Sequence, residues 1–291
     1  MTRRYGGKAL FLALAATGAL ALDAPARAAE DCASCHTDVA GAFAKTAHGQ
    51  TFAGNKAYAS ASCISCHAGA QEHAASGGEK KPVSVRKGAE ANVACLSCHA
   101  GKPKQAHWEG SAHQKAGLAC ASCHGVHGDH GGTPEQAKTL PGPSAVTKKC
   151  LECHGAQRIA MNQRSGHPLK EGQMNCASCH NPHGSTAEKL LVKSTVNELC
   201  YTCHQNMRGP FLWEHAPVRE DCLSCHKAHG SNYPQLLQAR TTQLCQSCHQ
   251  QGRHQTTAGL PTSIWVDNKA CTNCHQQIHG SNHPSGPLFQ R

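Results

Sequence analysis

The sequence predicts a mostly irregular fold of short α-helices with essentially no sheet, drawn out as an elongated array. Three observations predict it. Aromatic residues are only 4% of the 291 positions, too few for an ordinary core of this length. The pattern C-x-x-C-H recurs ten times, its starts 22 to 32 residues apart. Self-similarity at a short period marks an array in which each unit touches mainly its neighbours. No stretch shows the sustained alternation of apolar and polar residues that a half-buried strand requires.

The ten motifs use all 20 cysteines. The pairs are Cys32 and Cys35, Cys63 and Cys66, Cys95 and Cys98, Cys120 and Cys123, Cys150 and Cys153, Cys176 and Cys179, Cys200 and Cys203, Cys222 and Cys225, Cys245 and Cys248, and Cys271 and Cys274. The histidines that close them are His36, His67, His99, His124, His154, His180, His204, His226, His249 and His275. A bare C-x-x-C would fit a zinc half-site or a dithiol pair. Neither requires histidine at the next position. With 23 histidines in 291 residues, ten such coincidences have a likelihood of roughly 1 in 10¹¹. C-x-x-C-H is the attachment signature of c-type haem. The two thiols add across the vinyl groups of one porphyrin, and the histidine becomes the proximal axial iron ligand. The fold class is therefore a multihaem cytochrome c, an elongated haem wire with ten covalently bound haem c groups.

Residues 1–28 read as a secretory signal peptide. Arg3, Arg4 and Lys8 form a basic start, an apolar run follows from Ala9 to Leu22, and Ala26-Arg27-Ala28 is a small-x-small cleavage site. The apolar run is shorter than the ~20 residues of a membrane-spanning helix. The expected mature chain, 29–291, is one decahaem domain of five two-haem units, exported to a bacterial periplasm. Lys and Arg total 28 against 18 Asp and Glu. Nucleic acid is the usual reading of such an excess, but the propionates of ten haems outweigh it. Haem faces also supply the apolar area that the composition lacks, so the haem-free chain is expected to be unfolded.

Thirteen histidines lie outside the motifs, and their placement follows the motif count. Counting motifs along the chain, each even-numbered one has a histidine shortly after it: His73, His127, His183, His229 and His279. The last four precede glycine, in CHGVHG, CHNPHG, CHKAHG and CHQQIHG. Each even motif also has one before it: His48, His113, His167, His215 and His254. These ten are the candidate distal ligands, enough for bis-histidine ligation of every iron. His107, His130 and His283 remain as spares. A trailing histidine three or four residues after the motif histidine shares its face of a helical turn. It cannot reach round its own haem and is expected to serve a neighbour, the preceding odd haem. The leading histidine is expected to close over its own even haem.

Saturated irons favour electron carriage over catalysis. No altered motif such as C-x-x-C-K marks an open iron, and no nucleotide loop or nucleophile constellation is present. The alternative is a multihaem reductase of nitrogen or sulfur oxyanions.

Ten C-x-x-C-H motifs after a signal peptide in so short a chain, together with the C-terminal ACTNCHQQIHGSNHPSGPLFQR, resemble the periplasmic decahaem cytochromes of the MtrA/DmsE family. The resemblance runs from Cys32 to the end. It implies a wire seated in an outer-membrane β-barrel porin. An inner-membrane or periplasmic cytochrome would stand at one end and an outer-surface multihaem cytochrome at the other, with extracellular iron or manganese beyond. It equally admits service to an outer-membrane dimethyl sulfoxide reductase.

Overall fold

The computed structural model describes residues 32–55, 63–85, 90–128, 143–250 and 270–290. The expected signal peptide, His130 and His254 lie outside them. The backbone divides into two units, Met1–Val83 and Ser84–Arg291. Both consist of short helices and turns. Among the described residues there is no strand, only four isolated bridges.

Each C-x-x-C-H is one closed turn. The motif histidine N–H donates to the carbonyl of the first cysteine, as in His36 to Cys32 (3.0 Å), His180 to Cys176 (3.0 Å) and His249 to Cys245 (2.9 Å). That turn sets two thiols and one imidazole together. The chain enters the turn in two ways. All five even motifs open with a three-residue 3₁₀ turn: Cys63–Ser65, Cys120–Ser122, Cys176–Ser178, Cys222–Ser224 and Cys271–Asn273. The odd motifs of the second unit instead close an α-helix: Glu90–His99, Ala145–Leu151, Val196–Cys200 and Thr241–Gln246. Two of these helices are capped in the usual way. Ser144 accepts from Thr147 N–H and Thr195 from Glu198 N–H.

At three odd motifs the residue three before the first cysteine is polar yet buried: Asn92 at 3% exposure, Thr147 at 0% and Asn197 at 8%. The asparagines explain why. Asn92 Oδ1 accepts the Cys120 N–H at 2.8 Å, and Asn197 Oδ1 accepts the Cys222 N–H at 2.8 Å. Asn197 Nδ2 also donates to the carbonyls of Val218 and Arg219. Each asparagine thus ties an odd helix to the start of the next even motif and satisfies a buried backbone donor.

Protein side chains make little core. Among the described residues the buried apolar ones are Ala91, Trp108, Ala119 and Met161. A chain that is 39% hydrophobic must cover its apolar surface with something else, since burial of that surface is what stabilises a fold.

Candidate functional site

Among the described residues seven imidazole pairs each join one motif histidine to one histidine outside the motifs. In the first unit His36 faces His73 with ring centroids 6.2 Å apart. In the second unit the pairs are His154 with His113 (6.1 Å), His124 with His183 (5.8 Å), His204 with His167 (6.4 Å), His180 with His229 (6.0 Å), His249 with His215 (6.2 Å) and His226 with His279 (6.2 Å). Five of the seven have rings within 16° to 24° of parallel. Two imidazoles bound to opposite sides of one iron, each through a metal–nitrogen bond of roughly 2 Å, hold their centroids about 6 Å apart. The residues therefore fit bis-histidine haem.

The pairing corrects the expected assignment of distal histidines. His113, His167 and His215 do not close over their own even motifs; they face the odd motif that follows, at His154, His204 and His249. His183, His229 and His279 do not face the preceding odd motif; they face the preceding even one, at His124, His180 and His226. His73 does face the preceding odd motif, at His36. The expectation failed because it weighed loop length along one chain segment, whereas short backbone pairing between segments decides the matter. Ser165 and Ser231 exchange both backbone hydrogen bonds (2.8 and 2.9 Å), and Trp213 and Ser281 do the same (2.9 and 2.9 Å). Each bridge lays a leading histidine segment against the next trailing one.

Nδ1 is held by main-chain carbonyls in an alternating way. In the odd pairs the distal imidazole is pinned. His73 Nδ1 lies 2.7 Å from Lys80 O, His113 Nδ1 2.8 Å from Pro182 O and His167 Nδ1 3.0 Å from Ala228 O. His215 is turned to the equivalent carbonyl, Ile278, but its Nδ1 is buried short of hydrogen-bond geometry. At three even motifs the motif imidazole is pinned instead: His180 to Lys189 O (2.8 Å), His226 to Gln235 O (2.9 Å) and His275 to Leu288 O (2.5 Å). The odd proximal imidazoles His154, His204 and His249 are exposed. A carbonyl accepts only from Nδ1–H, which leaves the Nε2 lone pair for a metal and raises its basicity. Partial burial lowers the pKa of His183 and His215, which favours the same neutral form.

The carbonyls of the even motifs come from left-handed turns. Lys189 and Leu190 have φ of 52° and 59°, Gln235 and Leu236 56° and 59°. Non-glycine residues pay strain there, and the strained carbonyls are those that hold His180 and His226. Sequence reasoning missed these turns and the buried asparagines. A signal existed in the recurring Leu-Leu of EKLL and PQLL and in the polar residue three before odd motifs.

Cysteines of consecutive motifs lie side by side in the second unit. First-cysteine thiols lie near one another between motifs: Cys150 near Cys176, Cys200 near Cys222, and Cys245 near Cys271. Cys153 lies near Cys123, Cys203 near Cys179 and Cys248 near Cys225. No disulfide forms among the described residues. Nor do any three described His, Cys, Asp or Glu side chains gather as a zinc-type centre.

Of the remaining candidates, His48 meets the edge of Phe52 at 6.0 Å, and His127 sits in the turn after Cys123. His283 Nδ1 accepts the Ser285 N–H within its own turn. No described helix is long and apolar enough to cross a membrane.

A family model for the doubled CXXCH motif matches residues 167–209 and 215–254. Both matches begin at a leading histidine and hold an even motif followed by an odd one. The chain is 40% identical to Multiheme cytochrome MtrA of Shewanella baltica over 280 residues, which cover 91% of this chain and 82% of that one. It is also 26% identical to C-type polyheme cytochrome OmcC of Geobacter sulfurreducens over 57% of this chain, though only 22% of the longer relative. With paired histidines, adjacent thiols and a relative matched along nearly its whole length, the chain belongs to the MtrA family of multihaem c-type cytochromes.

Proposed function

We propose that the protein is an electron carrier with ten bis-histidine haem c groups, part of a conduit between the periplasm and the cell exterior. The observation that carries the electron-transfer reading is the set of imidazole pairs, always one motif histidine with one other, about an iron's span apart. The bound haem supplies a one-electron iron couple, with bis-histidine ligation favouring low potential. The protein attaches each group through its two cysteines, saturates the iron from both faces and fixes the ring planes through Nδ1. Ligand pairs are as the rings lie, and His48, His127 and His254 complete the ten distal ligands. Adjacent thiols from Cys120 to Cys274 put consecutive attachment points next to each other in chain order.

Saturation leaves no position for substrate, which favours carriage over reduction of oxyanions. Carbon monoxide tests this. The reduced native protein is expected to show no sizeable spectral shift, and a shift worth one iron would identify a catalytic haem.

The finer reading is a periplasmic chain associated with the outer membrane and seated in a β-barrel porin. A periplasmic or inner-membrane cytochrome exchanges electrons at one end. An outer-surface multihaem cytochrome, or extracellular iron or manganese, does so at the other. The chain's membership of the MtrA family supports it, as does the lack of a spanning helix among the described residues. Co-purification with a barrel, and reduction of external ferric oxide by vesicles that hold the reconstituted pair, are the expected results. A soluble protein that reduces only periplasmic partners would overturn the conduit.

A further inference from the structure

Resting on the ligation just proposed, we infer that the peptide units before the trailing histidines His183 and His229 each position two irons at once. Each carbonyl orients the distal imidazole of an odd iron, and the histidine that follows is the distal ligand of the neighbouring even iron. In Ala228–His229, the Ala228 carbonyl holds His167 Nδ1 at 3.0 Å. His167 faces His204, and His229 faces His180. In Pro182–His183, the Pro182 carbonyl holds His113 Nδ1 at 2.8 Å. His113 faces His154, and His183 faces His124. At Ile278–His279 the histidine faces His226 in the same way, but the carbonyl does not bond His215 Nδ1.

The segment is held tightly enough to act as one part. The two-bond bridge between Ser165 and Ser231 sets its register. Gly230, at φ 150°, lets it approach so closely that an added Cβ would lie 1.9 Å from the Ala160 carbonyl oxygen. Gly184 meets the His107 carbonyl oxygen at the same 1.9 Å. The glycine after the trailing histidine is thus required by backbone contact. A displacement of this segment moves one imidazole directly and releases the Nδ1 bond of another. Orientation and hydrogen bonding of an axial imidazole tune its iron. The irons of His124 and His154, and of His180 and His204, are therefore tuned in couples.

The test uses the full chain matured with haem, read by electron paramagnetic resonance of the ferric protein. Gly230→Ala is expected to shift about one fifth of the low-spin intensity, two irons in ten. His229→Met, which changes the side chain and keeps the peptide in place, is expected to shift about one tenth. Ala228→Gly retains the carbonyl and slackens the segment, so the outcome does not hang on whether Gly230→Ala accumulates holoprotein. It shifts the same two signals. A shift of one iron only in the backbone variants, or of two in His229→Met, overturns the shared peptide. Failure of the ligation itself is distinguishable, because the unsubstituted protein would then show high-spin iron.

Discussion

Odd and even motifs carry the same five-residue pattern but are built differently. An odd motif in the second unit closes an α-helix and leaves its proximal imidazole exposed, as at His154, His204 and His249. An even motif starts with a 3₁₀ turn, and at His180 and His226 a strained left-handed turn grips the proximal imidazole. At the odd motifs the partner imidazole is held instead, through His113 and His167. Attachment chemistry is thus uniform, whereas orientation is assigned to opposite faces of successive irons. Where the pinned side alternates, as between His167 and His180, neighbouring segments share backbone contacts.

The largest expected effect removes the difference altogether. Chain produced without haem attachment should lose its helices at odd and even motifs alike, because so few side chains form a core. Far-UV circular dichroism reads this, and native helix content at the odd motifs would mean that they fold on their own. Next in size is the opening of one iron. His167→Ala should open the odd iron of His204, and His229→Ala the even iron of His180. Each should let the reduced protein bind about one carbon monoxide. Binding in neither would break the pairing, and binding in only one would show that the two sides are not equivalent.

Smaller effects concern the joints. Asn197→Ala strands the Cys222 N–H and two carbonyls. It should cost about 1–3 kcal/mol in a denaturant titration of the holoprotein. A neutral result would mean that the odd helix does not hold the next even motif. The smallest is Gln235→Gly. Relief of left-handed strain, ~1 kcal/mol, is nearly offset by the added freedom of glycine when unfolded, ~0.5–1 kcal/mol. The melting temperature should stay within a few degrees, and a large fall would show that the Gln235 side chain itself supports His226.

Much of the site was legible because haem attachment is a local pattern. The twenty cysteines and ten motif histidines need only their neighbours in the chain. Seven of the ten candidate histidines outside the motifs, picked out because their placement follows the even motifs, face a motif histidine. His113 rather than His107 faces a motif histidine. Their partners were not legible. Which iron His167 meets depends on the pairing of Ser165 with Ser231, a contact across 66 residues that no local spacing encodes. Likewise the Lys189 and Gln235 carbonyls act through backbone conformation, which Leu-Leu in the sequence hints at without specifying. The short helices and lack of sheet followed from composition and periodicity. The contrast between 3₁₀ and α entry to the motifs did not, because both make the same closing hydrogen bond.

The bridges that lay each leading histidine against the following trailing one bear on how such a chain changes length. A segment that begins at a leading histidine and runs through an even and then an odd motif supplies its own odd iron. It also lends one ligand backward to the even iron before it. Excision or insertion of one whole repeat leaves the pairing pattern intact, whereas a length change that is not a whole repeat orphans at least one imidazole. Conductor length can then change in steps of two haems without redesign of the interior, and only the terminal segments need special arrangements.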